Sequence, residues 1–90
     1  MNTRQQLQLD DLIGALDEVE EKLRFRANQK GLGTMASTHE ILGIIEDEVQ
    51  EYRDEVHAKS EGEKKIEELK DIAVAAIFGI ASIKSGGVDW

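Results

Sequence analysis

A chain of 90 residues makes one small domain, and a domain of this size buries a limited share of its surface. Helix formers dominate, proline is absent and aromatic residues make up only 4%, which argues against a β-sandwich and for helices. The net charge of −8 argues against a nucleic-acid partner, because no basic stripe offsets it, and the absence of cysteine excludes a disulfide framework and thiolate chemistry.

The first predicted helix runs from about Gln5 to Asn28 (5–28). Leu9, Leu12, Ile13, Leu16, Val19 and Leu23 recur at three- and four-residue spacing and form one apolar face. Lys30-Gly31-Leu32-Gly33-Thr34-Met35-Ala36 follows as a glycine-broken loop. The second helix (38–58) opens on Ser37-Thr38-His39-Glu40, a capping box in which Ser37 and Glu40 satisfy each other's free amides. Its inner face carries Ile41, Ile45, Val49, Tyr52 and Val56. Ser60-Glu61-Gly62-Glu63 reads as another capping box and opens the third helix (61–84). Residues 85–90, ending on Trp90, read as a flexible tail of this single domain.

From Ile72 to Ile83 the third helix is apolar almost all round. That stretch is too short to span a bilayer, and the N-terminus shows no charged-then-apolar leader pattern, so a soluble, cytoplasmic protein is expected. A helix apolar on every side must be covered on every side, which two other helices of this size do not achieve. The expected fold is therefore all-α: an antiparallel helical hairpin plus an N-terminal helix, packing as an oligomeric helix bundle. The third helix lies near the interface of this dimer or tetramer.

On a wheel of about 100° per residue, Glu48 falls at the edge of the apolar sector of the second helix, and Glu51 sits just outside it. On the third helix Glu68 and Asp71 share a narrow stripe with the small residues Ala75, Gly79 and Ser82, while Leu69, Ile72, Ala76 and Ile83 form the neighbouring, main apolar stripe. In an antiparallel hairpin Glu51 and Glu68 both lie roughly 10 Å from the turn, and Glu48 and Asp71 roughly 15 Å. The four carboxylates thus face one another in register. Like charges at close range raise each other's pKa, and a bound divalent cation removes that conflict. All-oxygen ligation selects hard ions, so magnesium is expected, with manganese as a substitute.

The segments Asp47-Glu48-Val49-Gln50-Glu51 and Glu68-Leu69-Lys70-Asp71 resemble the Glu-Glu-x-x-Glu and Glu-x-x-Asp motifs of the MazG-like family of all-α nucleoside triphosphate pyrophosphohydrolases. Gly33 to Glu40 before the first pair and Ile72 to Ala76 after the second are also similar, so the resemblance covers roughly Leu23 to Ile83. Asp47 departs from the first Glu of the pattern, at a position outside the four usual ligands. The chain is also shorter than many of these proteins, whose subunits carry four helices, so a wall of the base pocket comes from a partner subunit or is missing. The resemblance implies a magnesium-dependent hydrolysis of (d)NTP to (d)NMP and diphosphate. Glu48, Glu51, Glu68 and Asp71 are the implied metal ligands, and Glu48 or Glu51 orients the attacking water. Two alternatives stand beside it: a non-catalytic helical interaction module of the same fold, and a relative specialised for dUTP or phosphoribosyl-ATP.

Lys64 shares the stripe of Glu68 and Asp71 and reads either as a phosphate ligand or as the exposed i,i+4 partner of Glu68. Arg26 and Lys30, before the glycine loop, read either as phosphate ligands or as a solvated basic patch. Gly31-Leu32-Gly33 lacks the lysine and hydroxyl of a phosphate loop. Glu40 is accounted for by its capping box, and Glu20 either reaches the site or flanks it. His39 is expected to be exposed, and His57 suits a helix C-terminus. Asp54-x-x-His57 is not the paired Glu-x-x-His of di-iron bundles. Among the aromatic residues, Phe25, Tyr52 and Trp90 are candidates to stack on a base, with Tyr52 expected rather in the core and Trp90 in the tail or an interface.

Overall fold

The computed structural model describes residues 4–88, so Asp89 and Trp90 of the expected tail lie outside the described residues. Three helices follow in order, with no strand among the described residues: α1 (Leu9–Lys30), α2 (Thr38–His57) and α3 (Gly62–Ser85). α3 packs against both α2 and α1, whereas α1 and α2 do not pack on each other. None of the helices is long and apolar enough to cross a membrane.

The helix ends follow from local chemistry. α1 begins four residues later than the expected start at Gln5, because the Asp11 carboxylate accepts the Gln8 backbone N–H at 2.8 Å and fixes the start there. It ends at Gly31, whose φ of 87° suits only glycine. At α2 the Ser37 hydroxyl accepts the Glu40 N–H at 3.0 Å, as expected. Glu40 does not return the bond to Ser37 but accepts the Ala36 N–H at 2.7 Å. The second expected box does not form. Glu61 is the N-cap of α3 without a side-chain bond, and the Ser60 hydroxyl donates instead to the Glu55 carboxylate.

Lys59 closes α2 in the left-handed region, with φ of 56°. The Lys59 N–H donates to the Val56 carbonyl and the Ser60 N–H to the Glu55 carbonyl, both at 3.1 Å. This arrangement usually takes glycine, and the two recovered carbonyls offset the strain of a side chain there.

The buried face of α3 is its stripe of small residues. Ala75, Gly79 and Ser82 are buried, together with Val74, while the supposed main stripe is only partly covered: Ile72 and Ala76 are half-buried and Leu69 and Ile83 are exposed. The reason is closeness of approach. A Cβ on Gly79 would stand 2.8 Å from the Ile41 Cγ2 methyl, so α2 sits against α3 where side chains are smallest. The inner face of α2 is rotated accordingly. Ile41 is buried and Ile44, Ile45, Glu48, Val49, Tyr52 and Glu55 are half-buried, whereas Val56 is exposed.

α1 buries nothing completely. Val19, Lys22, Leu23, Arg26 and Ala27 are half-buried, while Leu9, Leu12, Ile13 and Leu16 of the expected apolar face are exposed. The molecule measures 49 × 29 × 27 Å with a radius of gyration of 15.2 Å, against about 12 Å for a compact chain of this length.

Candidate metal centre

The hairpin brings Glu48 and Glu51 of α2 opposite Glu68 and Asp71 of α3, as their distances from the turn require. One carboxylate oxygen from each of the four lies within 4.8 Å of the other three. Glu51 is exposed and the other three are half-buried. Glu48 Oε2 and Glu68 Oε2 are buried and accept no hydrogen bond. Burial, and then the charges of Glu51 and Asp71, push the carboxyls of Glu48 and Glu68 above the usual carboxylate range.

These residues fit a hard divalent cation. The donors are all oxygen, and two buried oxygens lack the partner that buried polar atoms require. Opposite oxygens of a magnesium octahedron stand about 4.2 Å apart. The cluster is close to that span already.

α1 completes the surroundings with cations. Asp71 Oδ1 faces Lys22 Nζ at 2.7 Å and Arg26 Nη2 at 3.0 Å. Lys22 also donates to Glu67, at 3.0 Å to the side chain and 3.2 Å to the backbone carbonyl. Glu67 in turn holds Lys70 at 2.6 Å, and Lys70 reaches Glu18 at 3.5 Å. Lys70 first, and Lys22 next, hold the Glu67 carboxyl below its usual range. Burial alone would lower the affinity of Lys22 for its proton, but its bonds to Asp71 and Glu67 outweigh that and raise it.

Beside the carboxylates opens a cavity of about 210 Å³. Arg26, Lys30, Gly31 and Gly33 form one wall, Met35, Ile44, Val74, Ala75 and Phe78 form the apolar remainder, and Glu48 and Asp71 reach it from the cluster. Arg26 and Lys30 are therefore gathered at the site. Lys64 is not: it is exposed, does not line the cavity and makes no ion pair with Glu68.

Glu20 pairs with Arg24 at 2.8 Å and borders a separate hollow of about 550 Å³ along Leu23, Ala27, Leu32, Ile77, Phe78 and Ala81. Phe25 is exposed and Tyr52 is half-buried away from the cavity. His39 and His57 are exposed.

Lys22, paired with Asp71, and Glu67, paired with Lys22, adjoin the cluster without having been candidates from the sequence. The available signal was the four-residue spacing of Lys22, Arg26 and Lys30, which puts a short basic stripe on one face of α1 despite the acidic total. No protein-family model matches the chain, and no curated protein or solved structure does either.

Proposed function

We propose that the protein is a magnesium-dependent nucleotide pyrophosphohydrolase. It converts (d)NTP and water to (d)NMP and diphosphate in the cytoplasm, as a homo-oligomer. The observation that carries this reading is the convergence of Glu48, Glu51, Glu68 and Asp71, with two orphaned buried oxygens, beside a cavity whose wall bears Arg26 and Lys30. The order, spacing and helical setting of these acids, which resemble the MazG-like pattern, support it further.

Glu48, Glu51, Glu68 and Asp71 would hold magnesium, which supplies neutralisation of phosphate charge and acidification of water. The protein's own groups do the rest. Arg26 has five N–H donors and gives one of them to Asp71, which leaves four for phosphate oxygens. Lys30 adds a second cation on the same wall. Glu48 or Glu51 is the carboxylate that would accept a hydrogen bond from the attacking water and hold it in line with phosphorus. Met35, Ile44, Val74 and Phe78 exclude bulk water from that side.

The test is diphosphate release from a panel of nucleoside triphosphates that includes dUTP, with phosphoribosyl-ATP alongside, with and without magnesium. Release should require magnesium and fall roughly a hundredfold or more in Glu51→Gln and in Asp71→Asn, with helical content unchanged. A sharp preference within the panel would identify a specialised relative. Absence of release from every compound would leave the exposed apolar surface as the main functional feature and the protein as an interaction module.

A further inference from the structure

The cations around the cluster are unevenly placed, and the asymmetry bears on how many metal ions the site takes. Glu48, Glu51 and Glu68 form no ion pair among the described residues, and Glu48 feels the more distant charge of Arg26, while Asp71 has two ion pairs, both on Oδ1. Lys22 is fixed there. Its ammonium donates to Glu67 Oε1 and to the Glu67 carbonyl and stands 2.7 Å from Asp71 Oδ1, and its side chain is 15% exposed. The charge of Glu67 is met on its other oxygen by Lys70 at 2.6 Å, so the Lys22 charge is left for Asp71.

Four carboxylates with Lys22 and Arg26 carry a formal charge of −2, which one divalent cation cancels and a second would invert. Resting on the metal-site reading above, we propose that Lys22 is a built-in counter-cation that stands in for a second metal ion. The nucleotide-free protein then holds one divalent ion per chain, on the flank of Glu48, Glu51 and Glu68. Any further ion enters with the phosphates of the substrate, to which the spare donors of Arg26 turn. Lys22 acts on the metal through Asp71 and by its charge and does not touch substrate, so it is a positioning residue.

The test counts and titrates manganese on the nucleotide-free protein by electron paramagnetic resonance. The wild type should bind one ion per chain. Lys22→Met, which keeps the aliphatic stem, should bind that ion roughly tenfold more tightly or better, because a fixed positive charge beside a divalent ion is removed. Lys22→Arg should behave as wild type. A merely structural role gives the opposite sign, weaker binding in Lys22→Met, and that result, or unchanged affinity, or two equivalent ions in the wild type, overturns the proposal. Should Lys22→Met lose helical content, Lys22→Gln answers the same question. Absence of any manganese binding by the wild type would overturn the metal-site reading itself, whereas wild-type binding of one ion with no tightening in the variants would overturn this inference alone.

Discussion

At Glu48 and Glu68 each side chain buries an oxygen that accepts no hydrogen bond, and each carboxyl binds its proton more tightly than usual. A carboxyl whose pKa is raised by folding favours the folded state while it is protonated. Without metal, stability is therefore lost as pH rises through the raised values. Glu67 acts in the opposite sense: its contribution is present above the usual carboxylate range and is lost only when pH falls through its lowered value. Half of its side chain is exposed, so that contribution is small.

The metal-free protein should accordingly melt at a higher temperature as pH is lowered from neutral to just above the usual range, about pH 5, and at a lower one on further acidification. Magnesium should flatten the upper arm, since it stabilises the ionised cluster. Melting curves across pH, with and without magnesium, check this, and a metal-free melting temperature that climbs from pH 5 to 7 would contradict it.

At the scale of elements, a hydrogen bond ties the loop between α1 and α2 to α3. Ser82 Oγ accepts the Met35 N–H at 3.0 Å, and Ser82 is 3% exposed. Ser82→Ala strands that N–H and should cost about 1–2 kcal/mol. Chemical denaturation measures it, and a change under about 0.5 kcal/mol would show that the loop finds water or another acceptor.

Much of this scale was legible in the sequence. Glu48, Glu51, Glu68 and Asp71 could be placed together because helical period and distance from a turn are the two quantities a linear pattern encodes directly. The face of α3 was misjudged because the wheel ranks side chains by apolarity, whereas Gly79 wins the interface through closeness to Ile41 and Ser82 through its bond to the Met35 N–H. The Lys59 cap carries no glycine to announce it. Lys22 was passed over because its role depends on where α1 lies across α3, which no local pattern specifies.

For the whole molecule, the apolar surface is the outstanding quantity. Accessible area is 7138 Å², against about 5,200 Å² for a compact monomer of this mass. Leu9, Leu12, Ile13 and Leu16 lie exposed along α1, and Leu69, Ile80 and Ile83 along α3. The proposed homo-oligomer would cover a surface of this kind. Sedimentation should show a dimer or tetramer at micromolar concentration, with a melting temperature that rises with protein concentration. Leu12→Glu combined with Leu16→Glu should shift the protein toward monomer. A wild type that sediments as a monomer would remove the homo-oligomer from the proposed function.

The four clustered carboxylates all come from residues 48–71, on either side of one turn. Closing so short a loop costs little chain entropy, and contacts so near in sequence form early in folding. The cavity instead needs Arg26 and Lys30 from α1, which reaches the site only through α3. The centre that would grip a cation is therefore built within one hairpin, and the wall that would receive a substrate depends in addition on how α1 docks on α3.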